Sequence, residues 1–233
     1  YITITLLVGY WGIMTLIPVP GIGPANLEPE TNIGAWLDRL LLDGHLWKIS
    51  KSWDPEGILG TVPAIASGLI GVLVGSVVTS PIDKVNKVYR FLIIGFSCII
   101  LGLVWDLYFP INKALWTSSY VLLTSGIAAV ALALCYFIID VKEYKTFTLP
   151  FIVFGSNAIV AYMLAELGQN LLYTISVSSA SGNAISLQGF LFEGLFHNWQ
   201  NLQAGSLLYA IAYVLLIFIP VYLLYRKKIF VKV

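Results

Sequence analysis

FLIIGFSCIILGLVWDLY, residues 91–108, decides the fold, because the whole stretch carries one charged side chain, Asp106. About 20 apolar residues in a helix span the roughly 30 Å hydrocarbon core of a bilayer. The stretch lacks the strict period-2 alternation of a barrel strand. Inside lipid every backbone N–H and C=O needs a partner within its own segment, and a helix supplies one. Five further runs have the same character: Tyr1–Ile17, Ile58–Val78, Ser118–Ile139, Leu149–Tyr173 and Ser206–Tyr225. They predict an all-α fold, a polytopic transmembrane helix bundle with about six membrane helices, over a single domain of residues 1–233.

Composition supports this reading. The chain is 58% hydrophobic and 11% charged, with a mean hydropathy of +0.86. Soluble domains carry about 25% charged residues. A net charge of +1 argues against a nucleic-acid partner, since phosphate binding needs clustered Lys and Arg. The one basic cluster, Arg226-Lys227-Lys228 with Lys232, follows an apolar run and reads as a membrane-side anchor. Cys98 and Cys135 lie inside apolar runs, where quiet buried thiols are the default. No His or Cys pair has metal-ligand spacing, so no metal site is expected.

Loop charges predict orientation. With simply alternating helices, Lys84, Lys87, Arg90, Lys142, Lys145, Arg226, Lys227, Lys228 and Lys232 fall on one side. Only Arg39, Lys48, Lys51 and Lys113 fall on the other. The first side is then the cytoplasm, with the C-terminus on it. The opposite side holds the long connections. Segment 18–57 opens with Pro and Gly and continues into a short amphipathic helix, Ile33–Leu42; segment 174–205 contains a second short apolar stretch, Leu187–Phe196. Both read as structured cover over the bundle. Tyr1 opens the chain within a hydrophobic run, so the chain is expected to be the later part of a longer membrane protein.

Three polar constellations stand out. Trp53-Asp54-Pro55-Glu56-Gly57 precedes an apolar run. Its carboxylates suit general acid–base work or substrate binding. They equally suit a helix start, with Asp54 as N-cap, Pro55 at the first position and Glu56 in the first turn. The stretch Phe109–Tyr120 falls at the same face and contains Asn112, Lys113, Trp116, Ser119 and Tyr120. Lys113 could neutralise an anion or polarise a carbonyl; an interfacial aromatic belt with a snorkelling lysine is the alternative. In the fifth apolar run, Gly155-Ser156-Asn157 is followed by Tyr162 and Glu166. Along a continuous helix Asn157 and Glu166 would be about 13 Å apart. Function and interhelical hydrogen bonding compete for both. Gly71-x-x-x-Gly75 allows close helix packing, within one chain or in a homodimer. His45 and His197, in non-cytoplasmic loops, are candidate bases or plain polar surface.

Several of these residues resemble a known family. They are Asp38-Arg39-Leu40-Leu41-Leu42, His45-Leu46, the run Asp54–Thr61, Pro110-x-Asn112-Lys113-x-Leu115-Trp116-x-x-Ser119-Tyr120, Gly155-x-Asn157-x-Ile159 and Lys227-Lys228-Ile229-Phe230. Together, and in this order, they are similar to the heparan-α-glucosaminide N-acetyltransferase family and its bacterial relatives. The resemblance implies a transmembrane acyltransferase that takes acetyl from cytosolic acetyl-CoA and delivers it to a glucosamine-type amino sugar across the membrane. For a bacterial member that implies the inner membrane. On matching positions it places Asp54, Glu56, Asn112 and Lys113 in catalysis. Trp116, Ser119, Tyr120, Asn157, Glu166 and His45 would lie along the substrate site. The family's essential histidine precedes the region covered here, so the chain alone is expected to be inactive. An amino-sugar transporter or permease is the runner-up, and a noncatalytic membrane scaffold the third reading.

Overall fold

The computed structural model describes residues 1–178, 184–196 and 201–231; His197 and Lys232 lie outside the described residues. The chain divides into two compact units, Tyr1–Tyr144 and Lys145–Val233. In the first unit the helices are α1 (Ile2–Leu16), α2 (Ile33–Leu41), α3 (Thr61–Thr79), α4 (Lys84–Asp106) and α5 (Ser118–Tyr136), which runs into a π-helical turn, Phe137–Val141. The second unit holds α6 (Leu149–Ser156), α7 (Ala158–Thr174), a short antiparallel hairpin of β1 (Ser176–Ser178) and β2 (Ala184–Ser186), α8 (Leu187–Leu195) and α9 (Leu202–Arg226).

Among the described residues four helices are long and apolar enough to cross a membrane: α3, α4, α5 with its π turn, and α9. The pair α6–α7 makes a fifth if taken as one span, but it is bent by 83°. Of the six expected runs, the first forms a helix of only 15 residues, and the fifth is broken. Large apolar side chains such as Leu207, Leu215 and Leu216 of α9 stand more than half exposed. In water such a surface would be strongly unfavourable, at about 25 cal/mol per Å²; lipid is its natural solvent. The chain is therefore an integral membrane protein. Lipid-facing positions also explain the cysteines: Cys98 is half-buried and Cys135 exposed, rather than both buried.

In the first unit, α4 and α5 pack along glycines. A Cβ on Gly126 would lie 2.6 Å from Gly95 O, and one on Gly102 would lie 2.8 Å from Leu123 N. Gly71 and Gly75, the expected close-packing pair, meet nothing within 4 Å. Asp83 caps α4 by accepting from Asn86 N at 3.0 Å. Near the same end, Lys87 donates to Val78 O at 2.6 Å and Lys84 to Asp140 O at 2.9 Å, placing cations on late helix carbonyls. At the other end, α1 and α4 finish where α3 and α5 begin. The loops there close over a cluster of Tyr10, Met14, Val19, Ile33 and Phe109.

In the second unit, the break after α6 sits on Asn157, whose backbone leaves the helical region (φ −135°, ψ 45°). Its buried side chain is held by the tail: Asn157 Nδ2 donates to Ile229 O at 3.1 Å, and Val231 N donates to Asn157 Oδ1 at 2.9 Å. The tail reaches it through a left-handed turn at Lys228 (φ 56°), with Lys228 N bonded to Tyr225 O and Ile229 N to Leu224 O, both at 3.0 Å. That pair of bonds is the Schellman end of a helix, with lysine where glycine is usual.

Candidate functional site

The polar end of the first unit is built on two loops, one leading into α3 and the other into α5. In the first, Asp54 forms a turn of its own. Asp54 Oδ1 accepts from Glu56 N at 2.9 Å, Oδ2 accepts from Trp47 N at 3.1 Å, and Asp54 O accepts from Gly57 N at 3.1 Å. Helix α3 starts only at Thr61, with Gly60 before it and no side-chain cap. The alternative of Asp54 as N-cap, with Pro55 and Glu56 in the first turn, is therefore corrected: a short Asp side chain bonding the amide two residues on makes an Asx turn instead.

Asp38, on α2, is the residue that sequence reading did not place at the site. It is only 3% exposed. Asp38 Oδ1 accepts from Ile58 N at 2.9 Å, and a Cβ on Gly57 would fall 2.1 Å from Asp38 Oδ2. Only glycine at 57 lets the carboxylate lie this close to the turn. Burial holds the Asp38 carboxyl above its ordinary range; the Ile58 N–H opposes that, the Asp54 charge adds to it, and Arg39 opposes it. Arg39 Nη1 also donates to Glu30 O at 2.7 Å and Ser52 O at 2.9 Å, tying the loop to its own start. A cavity of about 30 Å³, room for a single water, lies among Tyr10, Asn32, Asp38, Asp54, Gly57 and Leu115.

The second loop organises itself around Asn112 and Thr117. Asn112 Oδ1 accepts from Ala114 N at 2.8 Å and Leu115 N at 3.2 Å. Asn112 N donates to Thr117 Oγ1 at 3.0 Å; Thr117 and Ser119 hydroxyls lie 3.1 Å apart, and Ser119 Oγ donates to Phe109 O. Ser119 is buried and spends its proton on the loop. Tyr10 OH donates to Leu115 O and Ser118 Oγ to Leu7 O, pinning the loop to α1. Trp116 adopts a left-handed backbone (φ 52°), a strained state for a large side chain. Its Nε1 donates to Ser67 Oγ at 3.1 Å, and its ring meets Tyr120 edge-on, centroids 5.2 Å apart.

The two loops meet at a pocket of about 240 Å³ lined by Pro55, Glu56, Gly57, Gly60, Thr61, Ala64 and Trp116. Glu56 is exposed to it and carries its one carboxylate. Lys113 is exposed and makes no ion pair among the described residues. His45 is exposed, with Nδ1 3.3 Å from Asp43 O, and lines neither cavity. Asn157 and Glu166 belong to the second unit. There the amide of Asn157 is committed to the tail, and Glu166 is exposed on α7. The 83° bend lies before α7, whose N-cap is Asn157, so the expected separation of about 13 Å between Asn157 and Glu166 runs along a single helix. Among the described residues no three His, Cys, Asp or Glu side chains gather as metal ligands.

Fold and site define a polytopic α-helical membrane protein with an aromatic and acidic pocket at one end of its first helical unit. Along its whole length the chain is similar to the heparan-α-glucosaminide N-acetyltransferase of Homo sapiens, 32% identical over an alignment 270 positions long. It is equally similar to the Mus musculus protein of the same name, 32% identical over 269. The chain spans 37% of the length of each of these relatives. No family model matches it. The resemblance carried by the motifs thus extends to the entire chain, which is a homologue of one segment of these N-acetyltransferases.

Proposed function

We propose that the protein to which this chain belongs is a transmembrane acetyltransferase that moves acetyl from acetyl-CoA to the amine of a glucosamine-type sugar, and that this chain supplies the acceptor pocket. The observation carrying the proposal is the joint lining of one pocket by Glu56 and Trp116. At about 240 Å³ it is smaller than the roughly 300–1,000 Å³ of drug-sized sites, a scale suited to one sugar ring. An indole face suits the apolar face of a pyranose, and a carboxylate accepts from its hydroxyls or ammonium.

Chemically, the amine nitrogen attacks the thioester carbonyl, the C–S bond breaks, and CoA leaves as its thiolate while a base takes the ammonium proton. The resemblance assigns that base to a histidine outside this chain. Asp54 has both carboxylate oxygens engaged with backbone N–H groups, so its part is to shape the turn. Asn112 commits Oδ1 to its loop, which leaves its Nδ2, with Lys113, to donate to a developing oxyanion. In this reading the pocket faces away from the cytoplasm and Arg226-Lys227-Lys228 towards it.

The test is acetyl-CoA-dependent labelling of glucosamine by the full-length protein in membranes. Glu56→Gln is expected to raise KM for the sugar about tenfold, the worth of one charge-assisted hydrogen bond. Unchanged kinetics in Glu56→Ala and Asn112→Ala would remove both from the mechanism. The 83° break between α6 and α7 favours a second reading, an amino-sugar transporter, since such proteins use broken helices. Uptake of labelled sugar into proteoliposomes without an acetyl donor would establish it. The occupied amide of Asn157 counts against a substrate site at the break.

A further inference from the structure

Glu56 can serve a ligand only if the turn that carries it is fixed, and within residues 54–57 the bond to α3 is a long one, from Thr61 Oγ1 to Gly57 O at 3.5 Å. Asp54 bonds Glu56 N and Trp47 N, both within the same long loop. Helix α2 holds the loop on both sides of the turn: Arg39 donates to Ser52 O at 2.9 Å before it, and the Asp38 carboxylate accepts from Ile58 N at 2.9 Å after it. Helix α2 is itself anchored: Asn32 caps it by accepting from Ala35 N at 2.9 Å, and Ile33 packs with Tyr10, Met14 and Phe109. Gly57 presses against the carboxylate so closely that any Cβ would lie 2.1 Å from Oδ2. A buried carboxylate costs free energy unless it gains specific partners. This one, 3% exposed, is retained where it joins α2 to the pocket turn.

We propose that Asp38 is the positioning residue of the acceptor pocket: across Gly57 it holds the Asp54–Ile58 turn so that Glu56 faces the sugar. The inference rests on the acceptor reading of that pocket, and it assigns Asp38 no contact with substrate. Asp38→Asn keeps an oxygen for Ile58 N–H, whereas Asp38→Leu keeps only the volume.

The experiment uses the full-length protein in lipid nanodiscs. In Asp38→Leu, KM for glucosamine rises about tenfold or more, the worth of one hydrogen bond to a charged acceptor, while KM for acetyl-CoA stays put. In Asp38→Asn most of the loss is recovered. Independently of activity, amide hydrogen exchange at Ile58 accelerates about tenfold in Asp38→Leu, while the α4–α5 amides hold their protection. If Asp38→Leu does not extract as folded protein, Gly57→Ala interrogates the same contact with Asp38 intact. Wild-type exchange at Ile58 in the folded variant, or a parallel rise of KM for both substrates, overturns the role of Asp38. A wild-type protein that neither acetylates nor binds glucosamine overturns the acceptor reading instead, and the exchange result still decides whether Asp38 anchors the turn.

Discussion

Replacing Gly57 with alanine adds one methyl group at the tightest point of the site. Its position is fixed by the backbone: 2.1 Å from Asp38 Oδ2 and 2.7 Å from both Cγ and Oδ1, where ordinary contact begins near 3.4 Å. The carboxylate must retreat by about 1.3 Å, enough to break the 2.9 Å bond from Ile58 N. Losing a hydrogen bond to a charged group costs about 1.5–3 kcal/mol. Gly57 does not adopt a positive φ, so alanine brings no backbone strain and returns about 0.4–1 kcal/mol through the unfolded chain. The net is about 1–2 kcal/mol, a factor of roughly 5–30 in the opening of the turn. Hydrogen exchange of the peptide covering residues 54–60, in nanodiscs, measures it directly. Gly60→Ala is the control, because its Cβ would meet only Gly57 O, at 3.4 Å. Equal exchange in wild type, Gly57→Ala and Gly60→Ala would refute the claim that Asp38 and Gly57 lock together.

Four further outcomes follow from the structure. Asp38 has a raised folded-state pKa, so its contribution to stability is complete below the ordinary 3.8 and is lost as pH rises through the raised value. The melting temperature in nanodiscs should therefore rise as pH is lowered from neutrality, because burial disfavours the charged carboxylate more than the Ile58 N–H favours it. Asp54, Arg39 and Tyr10 are the ionisable neighbours, and Asp38→Asn, which leaves them in place, should flatten the dependence; a profile unchanged in that variant would contradict it. In the second unit, Asn157→Leu removes the acceptor for Val231 N and the donor to Ile229 O. The tail after Arg226 should become cleavable by carboxypeptidase several-fold faster, at about 1 kcal/mol per lost bond; Lys228→Gly, relieving the left-handed turn at φ 56°, should raise thermal stability by about 1 kcal/mol or less. Finally, Gly126→Ala should lower the melting temperature, since its Cβ would lie 2.6 Å from Gly95 O, whereas Gly71→Ala meets nothing within 4 Å and should leave it unchanged.

The hydropathy runs made the spans legible, because an exposed apolar helix face is written residue by residue in the sequence. Loop alternation also brought the Asp54 and Asn112 loops to one end, where Tyr10 and Leu115 join across 105 positions. A hydropathy window is blind to the dihedrals of one residue, so it drew Leu149–Tyr173 as a single helix through Asn157. At the break the Asn157 side chain takes a partner 72 positions away in the tail, Ile229, which no local window contains. A glycine spacing says that helices can approach closely, without saying which do: Gly71 and Gly75 stay open while Gly95, Gly102 and Gly126 make the α4–α5 seam.

Asp38 shows the same limit at the site itself. On an amphipathic helix an aspartate reads as part of the solvated face, and here the fold turns it inward against a glycine 19 positions later. The signal present in the sequence was Gly57, a residue that Asp54-Pro55-Glu56 does not need for its own turn, since the Asx bond is made by Glu56 N. A glycine unexplained by its own turn marks a close approach from elsewhere. Among the acidic side chains before Ile58, Asp38 is the buried one, and its distance of 2.9 Å to Ile58 N completes the inference that Gly57 began. Glu56 and Trp116, which line the pocket, lie in stretches that stand out in the sequence, while the contact between Asp38 and Gly57 is defined only in three dimensions.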